Sequence, residues 1–179
     1  VTYALRPGGE PALRYPEPSR HLAARGKSQP TLADVRSAVL EVRRGKSMVL
    51  DPNDENRRSC GSFFVNPIVS VEQAAEIELR AADPSLPRYP QPDGRVKLSA
   101  AWLIERAGLT RGERVGAVGL SSRHTLAIVC HEGARASDVV AFARRVRSRV
   151  DERFGVRLVP EPQFWGFAGA DGLPDERLA

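Results

Sequence analysis

Three short stretches join an unusual backbone to a side chain able to do chemistry. In SCGSFFVNP, Ser59 to Pro67, a small hydroxyl, Ser62, stands between Gly61 and two phenylalanines, and the run ends with Asn66 against Pro67. A glycine lets backbone approach a ligand closely, and the phenylalanines anchor the strand in a core, which would hold the hydroxyl still. A strand whose small serine merely faces a neighbour fits the same pattern. No G-x-S-x-G elbow with an activating His and Asp is present, which argues against a hydrolase nucleophile. In VPEPQF, Glu161 lies between Pro160 and Pro162. Both prolines fix φ, and Pro162 pushes Glu161 toward an extended backbone. That suits a carboxylate that must be aimed, and equally a solvent-facing Glu on an edge strand. In SSRHT, 121–125, His124 sits at a turn between two strand-like runs, as a ligand contact or as an exposed loop histidine.

Around these residues the chain reads as mixed helices and strands. VTYAL at the start looks like a strand, RPGGEP a turn, and ALRYPEP a second extended piece, so residues 1–22 read as strands. TLAD, at Thr31, is a capping box, and Leu32, Val35, Val39 and Val42 form one apolar stripe of a helix closed by Gly45. Residues 47–58 are a long polar connection, and SFFV at 62–65 reads as a buried strand. A second helix follows Ser70, with Gln73 completing its cap. DPSLPRYPQPDG, dense in proline, reads as loop, and KLSAAWLIERAG as a third helix capped by Ser99. VGAVGLS and TLAIVC read as strands. The longest helix is capped by Ser137, buries Val139, Phe142, Val146 and Val150, and stops at Gly155. The last segment, VRLVPEPQFWGF, is extended, and the rest reads as a loose tail. Helices and strands do not alternate strictly. The expected fold is therefore α+β, a mixed sheet with helices packed against it, rather than a doubly wound sheet.

The totals narrow the function classes. Lys and Arg number 27 against 22 Asp and Glu, a net charge of +5 that favours anionic partners. The basic run ARRVRSRVDER keeps helical apolar spacing without interleaved aromatics, so its arginines read as a solvated face and nucleic acid is not an expected partner. No apolar run is long enough to span a membrane. Cys60 and Cys130 have no metal-ligand spacing and read as two buried, reduced thiols, which fits a cytoplasmic protein. That spacing gives no reason to expect a metal, and with no G-x-G-x-x-G or P-loop no dinucleotide site is recognisable.

Taken together and in order, RRGKS, SCGSFFVNPIVS, YPQPDGRVKLSAAWLIERAG and ASDVVAFARRVRSRVDERFGVRLVPEPQFWG resemble the C-terminal part of the UDP-N-acetylenolpyruvoylglucosamine reductase family, over roughly residues 1–167. The resemblance implies a flavoenzyme of peptidoglycan synthesis in which hydride passes from NADPH to FAD and then to the enolpyruvyl group of UDP-N-acetylglucosamine enolpyruvate. It implies that Ser62 donates the proton that completes the reduction and that Glu161 helps stabilise the intermediate, with an arginine from the N-terminal domain. It further implies that Lys46 meets the nucleotide phosphates as a point charge and that Asn66 and His124 contact substrate. Residues 1–24 would then end a FAD-binding domain whose remainder lies outside this chain. Residues 25–168 would form the substrate-binding domain, and 169–179 a tail. The family usually carries GSFFKNP, and here that lysine is Val65.

Two further readings stand beside this one: a non-catalytic module that binds a UDP-sugar, and a basic nucleic-acid-binding domain. The first is favoured by Val65 and by the lack of a flavin site. Keeping both Ser62 and Glu161 opposes it, because a binding module needs no proton donor.

Overall fold

Local sequence chemistry starts most of the elements seen in the computed structural model, which describes residues 1–4 and 7–166. The chain divides into two compact units, Val1–Pro52 and Asn53–Ala179.

The first unit is a helical pair, not the strands expected for residues 1–22. Helix α1 spans Pro16–Ala23 and α2 spans Leu32–Gly45. The prolines that suggested extended chain in ALRYPEP instead open α1. Pro16 occupies the first helical position, where its missing N–H is not needed. No strand occurs among the described residues before Ser59. Thr31 caps α2 as expected: its hydroxyl accepts from the Asp34 N–H, and the Asp34 carboxylate accepts from the Thr31 N–H. Leu22 and Ala38 are the buried contacts of the pair. Val35, Val39 and Val42 are half-buried, and Leu32, on the first turn, stays exposed. Beyond α2 the backbone turns through Ser47 at φ +56°.

The second unit holds two antiparallel sheets. The first contains β1 (Ser59–Ser62), β7 (Ala127–Cys130), β6 (Val118–Leu120) and β5 (Arg114–Val115), adjacent in that order. The second contains β2 (Ile68–Val69), β4 (Val96–Leu98) and β3 (Arg88–Pro90). Helices α3 (Val71–Ala81), α4 (Ala100–Arg106) and α5 (Ala136–Phe154) supply the rest of the core. The α+β class holds, but the single mixed sheet expected is instead two sheets whose described strand pairs are all antiparallel.

Several boundaries differ from the expectation, each for a local reason. The proline-rich stretch is not all loop: Arg88–Pro90 pairs with Val96–Leu98 as a hairpin around QPDG. Pro90 ends an edge strand, where its lack of a donor is tolerated. KLSAAWLIERAG likewise divides into β4 and α4, because Ser99 ends the strand and caps the helix by accepting from the Trp102 N–H. Helix α5 begins at Ala136, and the Asp138 carboxylate, rather than Ser137, serves its start by accepting from the Arg135 N–H at 2.8 Å. Its apolar stripe is as expected, with Phe142, Val146 and Val150 buried and Val139 partly so. Tight packing also fixes Gly119 in β6, where an added Cβ would meet the Glu113 carbonyl oxygen at 2.5 Å.

Candidate functional site

The strand that carries Ser62 is one residue out of step with its partner. Ser59 pairs with Val129 but Ser62 pairs with Ala127, so Gly61 and Ser62 together oppose one residue. Gly61 has φ +82°, the left-handed conformation of a glycine bulge. Side chains alternate along a strand, so an unbulged chain would turn Ser62 to the face of Cys60. The extra residue instead gives Ser62 the face of Ala127. Nothing lies within 4 Å of where a Gly61 Cβ would be. The glycine is required by its backbone angle, and the space beside it stays open.

Past Ser62 the strand is held from both sides. The Phe63 N–H donates to the Leu126 carbonyl at 2.8 Å. On its other edge the Phe63 carbonyl accepts from the Glu161 N–H at 2.8 Å, and the Val65 N–H donates to the Val159 carbonyl at 2.9 Å. Phe64 and Pro160 face each other between these two bonds, as an isolated antiparallel bridge. That is a position where neither residue donates across the ladder, so Pro160 fits without loss. The backbone of Glu161 is thus tied to the residue after Ser62. Phe63 and Phe64 are buried at 3% and 2% exposure and pack edge to face at 5.1 Å. The core anchoring expected for them is present, although the strand proper, Ser59–Ser62, ends where they begin.

His124 joins the same neighbourhood through the backbone. Its Nδ1 accepts from the Leu126 N–H at 3.4 Å, and Leu126 is the residue bonded to Phe63. The turn is built by residues that pattern reading passed over. Buried Ser121 accepts on Oγ from the N–H groups of Arg123 and His124. Buried Asn56 donates to Ser122 Oγ and accepts from the Ser122 N–H, both at 3.0 Å. Thr125 is also buried and donates toward Ala101 O and Glu105. The doubled Ser-Ser before the turn was the available signal for Ser121 and Ser122. Asn56 lies 66 residues away in sequence, and nothing local marks it.

Two expected contacts prove to be engaged elsewhere. Asn66 Oδ1 accepts from the Ala100 N–H at 2.9 Å, so it satisfies one of the orphan donors at the start of α4. Lys46 lies in the first unit at the end of α2, with Nζ 2.6 Å from Glu17 Oε2 on α1. The structure therefore ties the backbone of Glu161 to Phe63 and the His124 ring to Leu126, on either side of the segment that follows Ser62, with the Glu161 carboxylate near Cys60 and Asn66 one short step along the chain.

The cysteines are not buried as expected: Cys60 is exposed and Cys130 half-buried, both as free thiols. They lie on the same face of the sheet and line an open groove of about 470 Å³ with Phe63, Ile128, Val139 and Phe164. Local burial pushes both thiols up from their ordinary value, and for Cys60 the nearby Cys130 and the Glu161 carboxylate add to it. Among the described residues no group of three or more His, Cys, Asp or Glu could hold a metal ion, and no helix is long and apolar enough to cross a membrane.

Comparison with known proteins places this arrangement. The C-terminal domain of UDP-N-acetylenolpyruvoylglucosamine reductase matches residues 51–165. The chain belongs to this family. The chain is 50% identical to the UDP-N-acetylenolpyruvoylglucosamine reductase of Thermobifida fusca over 159 residues, covering 86% of the chain and 45% of that protein. It is 52% identical to the reductase of Nocardia farcinica over 170 residues, covering 90% of the chain and 44% of the relative. Reductase 2 of Corynebacterium glutamicum is 46% identical over 169 residues, with 92% and 46% covered. The chain thus spans just under half the length of these relatives. The family match begins at residue 51 and contains Ser62, Asn66, His124 and Glu161, whereas Lys46 falls outside it.

Proposed function

We propose that this chain is the substrate-reducing half of a flavin-dependent reductase that converts UDP-N-acetylglucosamine enolpyruvate to UDP-N-acetylmuramate in peptidoglycan synthesis. The observation that carries the reading is the joint anchoring of Ser62 and Glu161. A glycine bulge aims the serine, and the Glu161 N–H is bonded to the very next carbonyl. A binding module has no use for a serine set on a backbone held this firmly.

FAD, reduced by NADPH, supplies the hydride when bound, and on this reading it is held by the part of the family's length that this chain does not include. What this chain supplies is the proton. Hydride addition to the enolpyruvyl double bond leaves negative charge on the carbon beside the substrate carboxylate. The Ser62 O–H bond breaks as a C–H bond forms at that carbon, and solvent then restores the serine proton. Serine holds its proton tightly, so this step needs a strongly basic acceptor and fixed geometry. Phe63 and Phe64 in the core, and backbone bonds on both edges of the strand, support the second condition. Glu161 acts on the intermediate together with an arginine outside this chain. Asn66, His124 and Lys46 complete the substrate contacts, and Asn66 does so while capping α4. A cytoplasmic location follows from the nucleotide substrate. This half alone is expected to be inactive.

The test uses the full-length enzyme. Ser62→Ala leaves flavin reduction by NADPH intact in stopped-flow absorbance, while reoxidation by substrate falls by about 10²-fold or more. Normal turnover in that variant would remove Ser62 from the role.

A further inference from the structure

Lys46 and Glu17 form an ion pair between α2 and α1. Lys46 ends α2 in a closed C-terminal motif: the Met48 N–H donates to Arg43 O at 2.8 Å and the Ser47 N–H to Arg44 O at 3.0 Å, with Ser47 left-handed. A left-handed serine lacks glycine's freedom, so surrounding contacts must hold the turn. The backbone of Lys46 is therefore fixed, and the direction of its side chain is set by what it meets. It meets the carboxylate of Glu17, from the first turn of α1. Both side chains retain solvent contact, at 39% and 48% exposure, so an incoming anion has access to the ammonium. Arg43 and Arg44 precede Lys46 in the last turn of α2, leaving Glu17 as the acid in contact with it.

We infer that Glu17 is a positioning residue that sets the affinity of this enzyme for its nucleotide diphosphate, by competing with the phosphates for Lys46. The inference rests on the reading of Lys46 as a phosphate contact. A carboxylate against the ammonium cancels much of its field and repels an approaching phosphate. Substrate and product carry the same diphosphate, so the competition weakens both and speeds release of the product.

The experiment is steady-state kinetics on the full-length enzyme with UDP-N-acetylglucosamine enolpyruvate, in a double-mutant cycle of Glu17→Gln and Lys46→Met. An exposed ion pair of this kind shifts an equilibrium roughly 1.5- to 5-fold. Glu17→Gln is expected to lower KM, and the inhibition constant of UDP-N-acetylmuramate, by that factor. KM should also become more sensitive to salt. Glu17→Asp, which keeps the charge, should return KM toward the native value. In the Lys46→Met background the effect of Glu17→Gln should vanish. A purely structural Glu17 would instead loosen α1 and leave KM unchanged or raised, which overturns the inference. If Lys46→Met leaves KM unaltered, the phosphate-contact reading itself fails and the inference with it, while the roles of Ser62 and Glu161 are untouched.

Discussion

Gly61 shows how much a single backbone angle decides. At φ +82° an L side chain is strained even though the space beside it is open. The left-handed conformation costs a non-glycine residue roughly 1–2 kcal/mol. Gly61→Ala is therefore expected to destabilise the protein by about that amount in urea unfolding. If the strand relieves the strain by losing the bulge, Ser62 turns toward the Cys60 face and substrate reduction falls as steeply as in Ser62→Ala. Native stability together with native turnover would show that the bulge is dispensable. The sequence pointed to this glycine, but for close approach to a ligand. The structure gives a different reason, a change of side-chain face, which depends on the partner strand and so could not be read from nine residues.

At the level of elements, the termini do much of the positioning. Asn66 joins the end of the Ser62 segment to the start of α4 through the Ala100 N–H. Losing such a capping bond costs about 1 kcal/mol. Asn66→Ala should thus lower the urea midpoint with no substrate present, whereas a residue that only contacted substrate would leave it unmoved. Helix caps were legible in sequence because they act over three or four residues. Thr31, Ser70 and Ser99 all serve the helices expected of them. Short strands were less legible. Arg88–Pro90 and Val96–Leu98 are three residues each, and only their mutual pairing makes them strands.

For the whole molecule, acid stability gathers in a few ion-paired turns. Asp83 is held down at about 2, chiefly by the Ser85 hydroxyl and backbone N–H, with Arg106 adding charge. Arg106 in turn lies over the Trp102 ring at 5.4 Å, so this turn ties α3 to α4. Asp34 is likewise lowered to about 2 by its Thr31 cap. Because the folded values lie below the model-peptide value, these carboxylates stabilise the fold in full above the unfolded value. That contribution disappears as pH falls from roughly 4 toward 2. Asp83→Asn should be less stable than the native protein near pH 6, and the gap should narrow from about pH 4 and close only below about pH 2. A gap that stays constant across that range would mean the carboxylate is not ionised preferentially in the fold.

What the sequence determined by itself is local or chemical. It set the caps at Thr31, Ser70 and Ser99, the apolar stripe of α5 and the α+β class, and it singled out, separately, a glycine-led serine and a proline-flanked glutamate. Each of these depends on residues a few positions apart, or on side-chain chemistry that no fold alters. Tertiary structure decided what depends on register and distance. The proline-rich start became a helix because Pro16 fell at its first position and Leu22 found a partner in α2. The two cysteines are not covered because they share a sheet face that borders an open groove. The backbone of Glu161 was tied to Phe63, the residue after Ser62, by a two-bond ladder with a proline at its silent position. Such pairings are selected by the burial of both partners together, and neither partner's own sequence contains that term.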